Sequence, residues 1–242
     1  METIACPTIL PPLPETYGAT REALHKVAEG VLKPARVAAT GNEIALEVTP
    51  RGFGTPAFPS GGKVRVELDE LVVEGADGAA RRERIVSLLQ AAALAGVPVD
   101  GLDDATLPVD RDAAGALATF YALGADVLRE LHAEAPDCAE PSPIRLWPEH
   151  FDVAFEQGEE AEARRAGYGF SPGDEHHEEP YVYVVPWAEP PRDAGWTATG
   201  FRGAELTYAA LRRASDPRAA ALAFLRDRRA SLLGPPGRPA VG

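Results

Sequence analysis

The segment Pro180-Tyr181-Val182-Tyr183-Val184-Val185-Pro186-Trp187 restricts the fold of this chain most. In an extended backbone Tyr181, Tyr183, Val185 and Trp187 share one face and Val182 and Val184 the other. A strand apolar on both sides calls for an interior place in a sheet. Elsewhere the alternation is one-sided. Ile44, Leu46 and Val48 alternate with Glu43, Glu47 and Thr49, and Val64, Val66 and Leu68 mark another strand with one wet face, the habit of antiparallel sheet. Between them residues 50–56 read as a turn and an irregular edge, because proline has no N–H for a central ladder. After Leu68 the apolar parity moves by one to Leu71 and Val73, which predicts a bulge or tight turn at Asp69-Glu70. Ala76-Asp77-Gly78 closes that strand.

Helical spacing surrounds these strands. Leu24, Val27, Ala28 and Val31 predict a helix over Thr20–Leu32, stopped by Lys33-Pro34, and Ile85, Leu88, Leu89 and Ala92 predict another, stopped by Gly96 and Pro98. An acidic connector without periodicity covers 99–112. Beyond it Leu117, Phe120, Tyr121, Gly124, Val127, Leu128 and Leu131 form an amphipathic stripe that ends before Pro136. Strands are expected at 144–155, 166–170, 181–187 and 204–209. A last helix begins at Asp216-Pro217, buries Ala221, Phe224 and Leu225, and stops at Gly234-Pro235. Each half thus reads helix, strands, helix, and ALEVTPRGFGTPAF corresponds in place to RLWPEHFDVAF. The expectation is an α+β fold of antiparallel sheet flanked by helices. It forms one domain over 1–242, with pseudo-repeated halves at about 15–98 and 112–234 and extended tails at 1–14 and 235–242.

Composition narrows the function. The formal net charge of −13 over 242 residues opposes nucleic-acid backbones and anionic membrane surfaces. No apolar run approaches the roughly 20 residues that span a bilayer. The N-terminus begins with an acid and carries Pro7, Pro11, Pro12 and Pro14, which reads as an extended lead-in and not a secretory signal. Cys6 and Cys138 lie far apart without CxxC spacing, so a reducing cytoplasm is the expected compartment. Neither a Walker motif nor a GxSxG elbow occurs, and no helix follows Arg51-Gly52-Phe53-Gly54 to make it a phosphate loop.

The candidate site lies between Ile144 and Trp187. On a continuous strand over 144–155, His150 and Asp152 would share a face with Leu146, roughly 6 to 7 Å apart, within reach of one cation or one hydrogen-bonded ligand. The plainer alternative is a packed histidine and a carboxylate that caps a neighbouring loop. The run Asp174-Glu175-His176-His177-Glu178-Glu179 follows the turn Ser171-Pro172-Gly173 and reads as a solvated loop, from which one histidine or carboxylate, such as His176, His177 or Glu178, could complete a metal site with His150 and Asp152. Tyr181 and Tyr183 are candidates for a pocket wall, with sheet core as the plainer role. His25 and His132 lie on helices, where a structural role is the ordinary one.

Taken in order, TREALH, VTPRGF, SPIRLWPEHFD, YGFSPGD and EPYVYVVPW resemble a bacterial family of domains of unknown function, over about residues 11 to 232. The positions that carry the resemblance include Thr20-Arg21, Leu24-His25, Thr49-Pro50-Arg51-Gly52, Phe151-Asp152, Phe170 to Gly173 and Pro180 to Trp187. It implies one structural unit and no particular activity, substrate or cofactor, and it moves weight from His150 toward Asp152, Arg51 and His25. The resulting expectation is a small polar molecule, or a divalent metal, held in a cleft between the halves. Arg51 would pair with an anionic group, His150 and Asp152 would accept and move protons, and His25, Tyr181 and Tyr183 would line the cleft. An enzyme built this way would be a general-base or metal-assisted hydrolase. The other reading is an interaction protein without a small-molecule site, its aromatic strands meeting a partner or a second copy.

Overall fold

The computed structural model describes residues 9–233 apart from 103 and 192. Cys6, the first part of the N-terminal tail, the helix stop at Gly234-Pro235 and the C-terminal tail lie outside the described residues. The fold is α+β, with two five-stranded antiparallel sheets and helices packed on them. Helix α1 (Tyr17–Val27) continues through a π turn (Ala28–Leu32) into α2 (Lys33–Thr40). Pro34 therefore does not end the helix. Its missing N–H and bulky ring disturb the regular ladder, and one widened turn absorbs the disturbance before Gly41, at φ +92°, stops the run.

The first sheet is a meander of β1 (Glu47–Thr49), β2 (Gly52–Gly54), β3 (Lys63–Glu67), β4 (Glu70–Glu74) and β5 (Ala80–Arg84). Two sequence expectations change here. Residues 52–54 are not an irregular edge but the second strand, because the prolines at 50 and 56 flank it and Phe53 is fully buried. The parity slip is a two-residue turn at Leu68-Asp69, with Glu67 opposite Glu70 and Leu68 at φ +56°. Strand β5 escaped the pattern because all of Ala80-Arg81-Arg82-Glu83-Arg84 is exposed at a sheet edge, where no apolar alternation is required.

Helix α3 (Leu88–Ala95) is capped by the Ser87 hydroxyl, which accepts from the Gln90 N–H, and ends at left-handed Gly96. The irregular connector leads to α4 (Arg111–Ala133), capped by Asp110. The second sheet follows: β6 (Arg145–Trp147), β7 (Asp152–Gln157), β8 (Ala166–Ser171), β9 (Tyr181–Pro186) and β10 (Ala204–Thr207), again a meander. Strand β9 lies inside it, as its two apolar faces require. Helices α5 (Tyr208–Arg213) and α6 (Pro217–Leu233) complete the described residues, the latter with proline at its first position.

The halves are joined in two ways. Leu46, just before β1, and Leu146 of β6 exchange N–H···O bonds of 2.8 and 3.0 Å, so the sheets meet edge to edge. Helix α4 lies across both. Tyr121 meets Phe53 of one half edge-on at 6.3 Å and Phe151 of the other at 5.7 Å, and its hydroxyl donates to the Phe151 carbonyl at 2.5 Å. Each such buried ring contributes about 2 kcal/mol, so neither half buries its core face without α4. Gly124 lets the helix approach, since a Cβ there would stand 2.7 Å from the Phe170 ring. The described end of the lead-in packs on the body: Leu10 is buried and the Pro11 carbonyl accepts from the Tyr208 hydroxyl.

Candidate functional site

The outer face of the second sheet, turned away from α4, floors a cavity of about 840 Å³. One periodicity builds it. Val153 and Phe155, Tyr168 and Phe170, and Val182 and Val184 are buried in the core, so Asp152 and Glu156, Gly167 and Ser171, and Tyr181, Tyr183 and Val185 face the other way. Helix α1 supplies a wall through Arg21, Glu22 and His25, and the rim comes from the β6–β7 turn, the β8–β9 loop and Phe201. Arg21 and His25 stand one helical turn apart and therefore on one face.

Asp152 is the chemical centre of the floor. It is only 6% exposed, and its Oδ2 accepts a short hydrogen bond from the Tyr183 hydroxyl. Its Oδ1 has no hydrogen-bond partner among the described residues. Burial pushes this carboxyl above the ordinary range, against the Tyr183 hydrogen bond, the charge of nearby His150 and the residue's own backbone N–H, which act the other way. Burial, and then the charge of Asp152, raise the Tyr183 phenol well above its usual value, so it stays a donor. This pairing reaches across a strand: Tyr183 opposes Gly169 on β8, and Gly169 opposes Ala154 on β7. The ring lies over Gly169, where any Cβ would overlap its far end.

The residue before Asp152 is strained. Phe151 sits at φ +53°, a left-handed conformation that costs a bulky residue on the order of 1 kcal/mol. It is held by Phe53 and Tyr121 and by the His25 ring, stacked on it at 5.0 Å and 3°. The Pro148 carbonyl lies 2.9 Å from His25 Nε2. A carbonyl only accepts, so Nε2 carries a proton and, in the neutral ring, Nδ1 keeps a lone pair.

In the β8–β9 loop, Glu175, His176, Glu178 and Glu179 are exposed, as a solvated run would be. Asp174 and His177 instead form a network. Asp174 Oδ1 accepts from the backbone N–H of His176 and His177 at 2.7 and 2.9 Å, and Oδ2 from the Tyr181 hydroxyl at 2.6 Å. Burial opposes the charge of Asp174, but these donors prevail and hold it below the usual carboxylate range. His177 reaches Asp174 Oδ1 with Nδ1 at 3.3 Å and Glu205 Oε2 with Nε2 at 2.8 Å. The Arg21 guanidinium ties the loop to α1, donating to the carbonyls of Asp174 and His177 at 3.3 and 3.2 Å, while Tyr17 donates to the Pro172 carbonyl at 2.9 Å.

Of the residues expected from sequence, His25, His150, Asp152, His176, His177, Tyr181 and Tyr183 all line the cavity. Three expectations are corrected. Arg51 does not line it: it is exposed in the turn between β1 and β2, and the cation in the wall is Arg21. His150 and Asp152 do not share a strand face, because residues 148–151 turn between β6 and β7 and leave His150 exposed. The metal set is not assembled: among the described residues no three His, Cys, Asp or Glu side chains are placed to hold a metal ion. The two nitrogens of His177 are directed at carboxylates, and His176 stands at the exposed rim. The cleft also lies less between the halves than over the second sheet, with α1 the contribution of the first. His132 is structural, its ring 5.2 Å from Phe155 and its Nε2 3.2 Å from the Ser142 carbonyl, and Cys138 is exposed away from the cavity.

Arg21, Phe201 and Gly169 were missed as site residues. The only sequence signal for them was the four-residue spacing of Arg21 and His25. Among the described residues no helix is long and apolar enough to cross a membrane. In comparisons with known proteins, this chain matches no family model, no curated protein and no solved structure.

Proposed function

We propose that this protein binds a small polar molecule in the cavity between α1 and the outer face of the second sheet, in the cytoplasm. The observation that carries the reading is the Asp152 carboxyl, buried at the floor with one oxygen unpartnered. Burying such a group without a partner costs about 1 to 3 kcal/mol, and of the buried side chains with an unpaired atom among the described residues, Arg36, Thr49, Asp152 and Gln157, only Asp152 lines the cavity. The walls support the same reading. Aromatic rings lie beside a few convergent polar groups, and the cavity has the size of small-molecule sites. The strained Phe151 holds Asp152 in place, a feature that concentrates at ligand sites. The absence of CxxC spacing supports the compartment.

The test is an NMR screen of the full chain against a library of small polar molecules, followed by the same screen with Asp152→Ala. Hits are expected to shift the amides of Ser171, Gly173, Tyr181 and Tyr183 and to weaken in the variant. Hits that gather elsewhere, or that bind the variant equally well, would refute the reading.

A further inference from the structure

The cavity is lined by six carboxylates, and five of them already face a cation. Glu149 pairs with Lys33 at 2.7 Å, Glu156 with Arg165 at 3.3 Å and Glu22 with Arg21 at 3.5 Å; Asp174 and Glu175 face His177 and His176 at 3.3 and 3.7 Å, charged pairs when those rings are protonated. Asp152 is the sixth and the most buried. Its one side-chain partner among the described residues is a neutral phenol. Arg21 is turned to backbone carbonyls of the loop and His25 to the Pro148 carbonyl, so neither reaches it, and His150, though near enough for its charge to act when the ring is protonated, is exposed and makes no ion pair with it.

From this we infer that the ligand is a small organic cation with at least one N–H, a protonated primary or secondary amine on an apolar body, whose ammonium group donates to Asp152 Oδ1, an atom covered from solvent that the ligand reaches as neighbouring side chains shift. The inference rests on the reading of the cavity as a ligand site and names the class of ligand. Three features favour an ammonium over other polar groups. A buried carboxylate without a counter-ion gains more from a cation than from a neutral donor, because charge-assisted hydrogen bonds are roughly twice as strong. With neutral histidines the six lining carboxylates are met by three cations, Arg21, Lys33 and Arg165, a negative balance that disfavours a carboxylate or phosphate ligand. Tyr181, Tyr183 and Phe201, with ring centroids 6.0 to 6.4 Å apart, present aromatic surface next to the carboxyl, suited to the hydrocarbon body of an amine and to the charge it carries. Trp187 at the mouth already has the Arg165 guanidinium over its ring at 5.0 Å, an instance of the same attraction within this chain. The N–H requirement follows from Oδ1 itself: a quaternary ammonium has no proton to give it.

A matched series tests the inference. The full chain at neutral pH is titrated with benzylammonium, benzyl alcohol, benzoate and benzyltrimethylammonium, and binding is followed by amide shifts at Ser171, Gly173 and Tyr183. Benzylammonium is expected to bind at least tenfold more tightly than the alcohol or the quaternary analogue, and benzoate not at all. Asp152→Asn should remove most of that preference, and Glu175→Gln, at the exposed rim, should leave it intact. The urea unfolding transition of each variant shows that the fold is kept. Equal or tighter binding of the alcohol or benzoate at the same residues overturns the cation inference while leaving the cavity a ligand site. A preference for the amine that survives Asp152→Asn overturns it as well. Silence of those amides toward benzylammonium up to about 10 mM, a range that reports even weak association, also overturns it, whatever the wider screen finds.

Discussion

The two sheets share one topology and differ on their outer faces. Superposing them by register, from the Leu46 and Leu146 bridge outward, sets the row Gly54, Arg65, Val72, Arg82 of the first sheet against Ala154, Gly169, Tyr183, Glu205 of the second. In the first, Arg65 fills the middle of the face and pairs with Glu67 and Glu74, each at 2.7 Å, while Arg82 pairs with Glu70 at 3.0 Å. Every charge in that cluster has an opposite neighbour. In the second, glycine stands where Arg65 stands, a tyrosine lies across the space, and Asp152 replaces Gly52 without gaining an ion-pair partner among the described residues. The two-residue turn at Leu68-Asp69 corresponds to the loop 172–180, which rises into a rim. One face is closed by its own ion pairs; the other is left open with a buried acid at its base. The same scaffold yields surface or site according to which side chains occupy one cross-strand row.

The largest way to break this difference is to close the second face. Gly169→Val places a branched side chain in the space of the Tyr183 ring; it should cost about 2 to 3 kcal/mol in urea denaturation and abolish the ligand shifts of the cavity. The reciprocal change opens the first face. Arg65→Ala removes two partly buried ion pairs and leaves Glu67 and Glu74 without their shared cation, for an expected loss of about 1 to 2 kcal/mol that shrinks in high salt.

A smaller effect has the opposite sign. The folded-state value of Asp152 lies above its unfolded one, so the native protein binds the extra proton and stability falls as pH rises from the ordinary carboxylate range through the raised value. Asp152→Asn should therefore stabilise the protein at neutral pH by on the order of 1 kcal/mol. That advantage should vanish at pH below the ordinary Asp value, and unfolding curves across the range would show it. A variant that gains no more stability over the wild type at neutral pH than at acid pH would contradict this account. The smallest effect is expected at the counterpart turn: Arg51→Ala should change stability by less than about 0.5 kcal/mol and leave ligand binding untouched, since its side chain is exposed and away from the cavity.

Much of this fold was legible in the residues. The stripe of α4, the proline-led start of α6, the one-sided alternation of β3 and the two-sided apolar β9 each follow from a period that local geometry imposes. The correspondence of VTPRGF with PEHFDV also anticipated the paired sheets. Less visible were elements without a period to betray them. Strand β5 is charged at four of its five positions, and α1 continues past a proline because neighbouring backbone widened to admit it. The site was readable as a neighbourhood and not as a set. Asp152, Tyr181, Tyr183 and His25 were all candidates, yet nothing in the order of residues distinguished Arg51 from Arg21 as the cation in the wall.

What the sequence determined by itself was which side chains must share a face, because alternation and helical spacing act within about a dozen residues. Tertiary structure alone decided which faces meet. The turn at 148–151 separates His150 from Asp152, the bare backbone of Gly169 admits Tyr183 to Asp152, and α1 crosses from the first half to wall a cavity in the second. Each depends on contacts between residues distant in the chain, settled by how two sheets and one shared helix bury their apolar surfaces together.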